Sequence, residues 1–196
     1  GLNDITLVLH DWGGAIGMGY AVRHPQKIKR LVLFNTAAFL SDHIPIRLKL
    51  CRVPGVGALA IRGFNAFALA ATSMACKNKE RMTDHVKKGY LSPYDNYANR
   101  IANLRFVQDI PMSPEAPSYS VVKNIEENLS QFASLPIMIA WGAKDFVFND
   151  RFLNRWQEIF PDAEVHRIQD AGHYVLEDAH ERIIPWMQEF FRSNPA

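Results

Sequence analysis

Three short stretches of the sequence set reactive residue types at the ends of apolar runs: HDWGG (His10–Gly14), WGAKDFVF (Trp141–Phe148) and DAGHYVLED (Asp170–Asp178). An ionised Asp11 closing a buried strand costs roughly several kcal/mol unless it is hydrogen-bonded or used. A carboxylate there is a competent nucleophile toward an electrophilic sp3 carbon, giving an alkyl-enzyme ester, whereas a serine would suit acyl transfer. Trp12 follows, with a backbone N–H and an indole N–H that only donates, so it suits an oxyanion or a departing anion. In ester hydrolysis His173 would activate water, with Asp145 fixing its tautomer and stabilising the imidazolium. The plainer reading of Asp11 is a helix N-cap, which explains neither Trp12 nor the other two stretches. His24, His43, His85, His166 and His180 read as surface or satisfied core, and His10 as packing behind the turn. Asp150 and Asp170 rival Asp145, but only Asp145 follows a strand through a short glycine-containing turn. After the second strand no carboxylate precedes Asp42.

These residues need a scaffold, and the apolar pattern predicts one. Ile5–His10 reads as a strand buried on both faces. Gly13 and Gly14 open a tightly packed helix that Pro25 stops, and Arg30–Asn35 is a second buried strand. Strand, helix, strand implies a parallel sheet with a right-handed crossover. From about Phe39 to Ala133 strand signals vanish. Tyr97, Ile101, Leu104 and Val107 fall near helical spacing within 96–110, and 118–135 behaves likewise. Prolines 45, 54, 93, 111, 114 and 117 mark breaks between short helices. Phe64, Phe67, Tyr90, Tyr94, Tyr97 and Phe106 read most simply as core of this insertion. The alternation returns with strand 136–142, helix 151–160, strand 163–168 and a closing helix 180–191 that must accommodate Pro185. The expected division is an α/β core at 1–38 and 136–196 with a helical cap at 39–135. Asp11, Asp145 and His173 then stand at strand ends, where open α/β sheets keep their crevices.

The order Asp11, Asp145, His173 is the nucleophile, acid, histidine order of α/β-hydrolase triads. HDWGG with GHYVLED resembles the haloalkane-dehalogenase branch of the α/β-hydrolases, from Leu7 to Phe191. Within that branch NTAAF (Asn35–Phe39), RGFNAF (Arg62–Phe67) and SPYDNYANRIANLRFVQDIP (Ser92–Pro111) are most similar to the β-lactone decarboxylases of bacterial long-chain olefin biosynthesis. The resemblance implies an α/β-hydrolase fold, conversion of a β-lactone to an alkene and CO2 through a covalent Asp11 ester, and partner enzymes of an olefin pathway. Haloalkane dehalogenation is the alternative. Tryptophans stand at 12, 141, 156 and 186, so none in the cap can supply the second halide donor that one dehalogenase class uses. Epoxide hydrolysis is a further alternative, favoured if two of Tyr90, Tyr94, Tyr97 and Tyr119 face Asp11. A non-catalytic protein retaining the pocket is a rival that the complete triad argues against.

Composition bounds the rest. With 48% hydrophobic and 21% charged residues the chain is ordinarily globular. A net charge of +2 gives no reason to expect a nucleic-acid or membrane partner. Two cysteines form no disulfide framework, which points to a reducing cytoplasm. No apolar run is long enough to span a membrane. No metal cluster, phosphate loop or nucleotide fingerprint is visible, so no cofactor and no metal are expected. The opening GLNDITLVLHDWGG reads like a helix tail, a turn and a strand, so an N-terminally truncated fragment is expected, with the other oxyanion donor outside it.

Overall fold

Strand β1 (Ile5–Asp11), helix α1 (Trp12–Arg23) and strand β2 (Ile28–Thr36) make a βαβ unit in the computed structural model, which describes residues 1–195. The His24 N–H closes α1 on the Tyr20 and Ala21 carbonyls, and Pro25 opens a 3-10 turn into β2. Strands β3 (Ile137–Gly142) and β4 (Glu164–Ile168) complete a parallel sheet in the order β1-β2-β3-β4. Helix α8 (Asp150–Ile159) links β3 to β4, and α9 (Val175–Ser193) follows β4.

The two-residue period of the strands sorts the core. Leu31, Leu33, Ile137, Ile139 and Trp141 face α1 and α8 on one side of the sheet. Val32, Phe34, Met138 and Ala140 face α9 on the other. β2 and β3 thus have both faces covered. β1 does not, contrary to the expectation of a doubly buried strand. It pairs only with β2, Leu9 is its one buried residue, and Val8 is 47% exposed. No strand lies beyond it among the described residues, and α1 covers a single face.

Between β2 and β3 the described chain holds no strand. It runs through α2 (Ile46–Cys51), α3 (Val56–Ala58), a π-helical turn (Leu59–Gly63), α4 (Ala66–Met74), α5 (Asp84–Leu91), α6 (Ile101–Gln108) and α7 (Tyr119–Glu127). Three details differ from the sequence pattern. Helix in 96–110 begins only at Ile101, leaving Tyr97 in a turn under the Arg62 guanidinium, 3.9 Å from its carbon to the ring centre. The expected helix 118–135 breaks at Asn128, then resumes as a 3-10 turn, Leu129–Phe132. The last helix starts at Val175 and departs from helical geometry at Ala179, not at Pro185. Nor are all the segment's aromatics core, since Phe64 is 69% exposed and Phe106 42%.

Candidate active site

β1 delivers Asp11 to the first turn of α1 in a strained backbone conformation, φ 50° and ψ −129°. A non-glycine residue there costs about 1–3 kcal/mol and persists only when its surroundings impose it. Two neighbours do so. The Thr36 hydroxyl donates to the Asp11 carbonyl, and the Trp156 indole N–H donates to the Thr36 carbonyl at 2.9 Å. α1 also crosses β2 so closely that a Cβ on Gly14 would lie 1.9 Å from the Thr36 hydroxyl oxygen. Gly13, expected to share that role, has open space around it. The Asp11 side chain makes no capping bond to α1. Its carboxylate is not serving as a helix cap.

Asp145 stands on the turn after β3. The turn is held by Asn35, which is fully buried at the end of β2. The Asn35 amide accepts from the Gly142 N–H at 2.8 Å and donates to the Gly142 carbonyl at 3.1 Å. Asp145, 5% exposed, accepts from the Val147 N–H at 2.6 Å and faces His173 Nδ1 at 2.8 Å. The two rival carboxylates are occupied elsewhere: Asp150 pairs with Arg167 at 2.7 Å and Asp170 with Arg182 at 2.8 Å.

His173 follows β4 on a loop pinned by Asp178. That buried carboxylate accepts from the N–H groups of Lys77 at 2.8 Å, Asn78 at 2.7 Å and Gly172 at 2.7 Å, and from the Cys76 thiol at 2.9 Å. Burial alone would raise the Asp178 pKa, but these donors outweigh it and hold the carboxyl below the usual range. The same burial, with the Asp178 bond and charge, pushes the Cys76 thiol up to about 12 and leaves it inert. A Cβ on Gly172 would meet the Ala75 carbonyl at 2.6 Å, so the loop and the end of α4 touch backbone to backbone. Burial also works to lower the His173 pKa, yet the Asp145 bond and the charges of Asp145 and Asp11 leave it raised. His10 donates from Nε2 to the His173 carbonyl at 2.8 Å. Its own pKa is lowered, by burial first and then by the His173 charge.

Asp11, Trp12 and His173 share the wall of a cavity of about 550 Å3. Most of the remaining wall is apolar, including Phe39, Ile44, Phe67, Phe106 and Phe148. Phe106 packs on Trp12 with ring centres 5.4 Å apart, and Phe148 on His173 at 5.9 Å. Asp145 is not in the wall; it lies behind His173. A second cavity of about 590 Å3 also reaches Asp11, and Tyr94, Asn103 and Tyr174 border both. Asn103 is buried, and its side-chain nitrogen has no partner among the described residues.

The structure therefore gathers Asp11, Trp12, Asp145 and His173, the four residues singled out from sequence. Sequence reasoning missed Thr36, Asn35 and Asp178, although Asn35 opens NTAAF and Asp178 closes GHYVLED. It also missed Asn103 and Tyr174, and it took His43, which borders the cavity, for a bland histidine. Of the four tyrosines weighed, Tyr94 borders both cavities and Tyr90 the second, each of which reaches Asp11. The Tyr90 hydroxyl donates to Glu177 at 3.0 Å, and its ring stacks on Tyr174.

Comparison with known proteins agrees with this architecture. A family model described as alpha/beta hydrolase fold matches residues 1–180. A cis-3-alkyl-4-alkyloxetan-2-one decarboxylase of Shewanella oneidensis is 47% identical over 190 residues, covering 95% of this chain and 59% of the relative. One of the same name from Xanthomonas campestris pv. campestris is 42% identical, covering 97% and 64%. A haloalkane dehalogenase of Mycolicibacterium paratuberculosis is 25% identical, covering 95% and 62%. Among solved structures, a haloalkane dehalogenase from Agrobacterium tumefaciens C58 superposes with a TM-score of 0.81 at 22% identity, covering 98% of this chain and 67% of the other. The chain spans about three-fifths of the length of these curated relatives. With the family model matching all but its last residues and the parallel sheet in place, the chain belongs to the α/β-hydrolase family.

Proposed function

We propose that the whole protein converts a β-lactone to an alkene and CO2, with Asp11 as nucleophile and the helices between β2 and β3 as a cap over the site. One observation carries the reading: Asp11 is held at positive φ, free of any capping bond, on the wall of an apolar cavity that it shares with His173. The relatives of highest identity quoted above are named for decarboxylating an oxetan-2-one, which is a β-lactone. Asp11 attacks the ring carbon bearing the lactone oxygen, and that C–O bond breaks to give an alkyl-enzyme ester and a free carboxylate on the neighbouring carbon. The carboxylate leaves as CO2, its electron pair forms the alkene, and the Asp11 carboxylate departs unchanged. Trp12 donates to the oxygen that gains charge as the ring opens. His173, held toward its charged form by Asp145, balances the anions around Asp11.

The test is turnover of a cis-3,4-dialkyl-oxetan-2-one by the full-length protein in 18O-labelled water. Alkene and CO2 with unlabelled Asp11, and no turnover by Asp11→Asn, are expected. A hydroxy acid as main product, or label in Asp11, would defeat the reading, because only hydrolysis routes water through the ester.

A second reading has its own support. Tyr94 and Tyr174 both border the cavity with Asp11, and burial first, then the Asp11 charge, push Tyr174 up to about 12, so it stays a proton donor. Two phenols beside a carboxylate suit epoxide opening. Diol formation from a dialkyl epoxide, lost in Tyr174→Phe, would favour it.

A further inference from the structure

The net charge of +2 averages over a very uneven distribution. Residues 43–79 hold Arg47, Lys49, Arg52, Arg62, Lys77 and Lys79 and no aspartate or glutamate, so the rest of the chain is net negative. None of the six pairs with a carboxylate among the described residues. Arg52 is occupied by the carbonyls of Val107, Gln108 and Ile110, and Arg62 by Tyr97. Lys49 is exposed, its ammonium unbonded among the described residues, and Arg47 is exposed at the rim of the cavity, where its guanidinium reaches the Met74 sulfur at 2.8 Å.

Large apolar side chains surround these charges. Ile46, Leu50, Val53, Val56 and Leu59 recur at steps of three and four through α2, α3 and the π-helical turn, and Phe64 ends the series. All six are exposed, Ile46 by 73% and Phe64 by 69%. The opposite side of the same segment, with Leu48, Cys51, Ala60 and Ile61, walls the cavity shared by Asp11, Trp12 and His173. This stretch is therefore a partition one helix thick, apolar on both sides and basic on the outer one.

We propose that the outer face of residues 46–64 docks on an anionic lipid bilayer, its aliphatic side chains entering the headgroup–acyl boundary and Arg47 and Lys49 meeting the phosphates. The occupant follows from charge and backbone. A second copy related by a two-fold axis would set this basic face against itself. Additional chain that adds strands has a different place to go: the free edge of β1 offers unpaired backbone groups, whereas the helical face offers no ladder. The segment lies on the bilayer rather than across it. Among the described residues no single helix is long and apolar enough to span, and the pair Val56–Gly63 and Ala66–Met74 is bent by 72°. Docking there sets the cavity beside the phase in which an apolar substrate dissolves.

The experiment is flotation of the full-length protein with phosphatidylcholine vesicles, with and without phosphatidylglycerol, at low and high salt. Binding to the anionic vesicles only, weakened by salt, is expected. Lys49→Glu and the double variant Ile46→Ser/Leu50→Ser should each weaken it by about tenfold or more, and Ile184→Ser, an exposed apolar residue on α9, should not. None of these residues borders the cavity, so turnover of a dispersed short-chain substrate should be unchanged. Three results would overturn the proposal: no flotation of the unmutated protein, a dimer that Ile46→Ser/Leu50→Ser dissociates, or protection of 46–64 from hydroxyl-radical labelling without lipid. Circular dichroism melts of each variant confirm folding, and Lys49→Glu removes no packing. Binding is read without substrate, so it stands or falls independently of the decarboxylase reading.

Discussion

The strand ends and the helices above them hold their polar groups by opposite means. Beneath the site, Thr36, Asn35 and Asp178 are buried side chains, each bonded to the backbone that carries one of Asp11, Asp145 and His173. In the helical segment the anchors are guanidinium groups reaching carbonyls at helix ends: Arg52 to the end of α6, and Arg100 to the Tyr94 and Arg62 carbonyls. Buried, directional bonds permit one arrangement and are costly to leave unmade. Half-exposed ones compete with water and tolerate small shifts. The candidate site residues thus sit on a rigid frame, and most of the cavity wall on a more adaptable one.

The largest effect that contrast predicts is at Asp178. Asp178→Ala strands the N–H groups of Lys77, Asn78 and Gly172 in a buried place, a loss of about 3 kcal/mol or more. Urea unfolding of the full-length protein measures it, and a loss under about 1 kcal/mol would break the contrast. Asn35→Leu comes next, at about 2 kcal/mol, because it leaves the buried Gly142 N–H unpaired and its carbonyl with the Asp145 N–H alone. It should lower kcat more than it raises KM, since the turn it frees carries Asp145 rather than a substrate contact.

The same division explains what could be read in advance. β2 and β3 announce themselves as unbroken apolar runs because the sheet covers both their faces, and the strained turn at Asp11 because His-Asp-Trp-Gly-Gly interrupts such a run. β1 misled because its composition is that of an interior strand, whereas its neighbours in this chain are not. In the helical segment a three- and four-residue period reports that one side is apolar, not what that side faces. Phe106 and Phe64 look alike in sequence, yet one packs on Trp12 and the other is bare. Thr36, Asn35 and Asp178 escaped because a buried polar residue declares its role only through partners far along the chain. Asn35 is 107 residues from Gly142.

In the helical segment the matching substitution is Arg52→Met, which keeps the aliphatic stem and removes the donor to three carbonyls at the end of α6. A loss of about 1 kcal/mol is expected, since Val107 is buried but Gln108 and Ile110 are partly exposed and their carbonyls can turn to water. The same urea titration reads it. A loss equal to that of Asp178→Ala would erase the difference between the two regions.

The smallest effect is in pH dependence, where two buried groups of the frame should move in opposite directions. His173 has a raised pKa, the Asp145 bond and the Asp145 and Asp11 charges outweighing burial. A histidine raised on folding adds stability that is fully present below its unfolded pKa, about 6.5, and fades as pH rises through the folded value. Asp178 is depressed, so its contribution is present above about 3.9 and fades as pH falls through its folded value. Urea midpoints for the unmutated protein, Asp145→Asn and Asp178→Asn across this range separate the two. The gap to Asp145→Asn should be widest near pH 5 and narrow toward alkaline pH. The gap to Asp178→Asn should hold steady from neutral to alkaline pH and close only in acid. A gap to Asp145→Asn that widens with rising pH would mean that Asp145 does not hold His173 toward its charged form, and the electrostatic role given to that pair would fall with it.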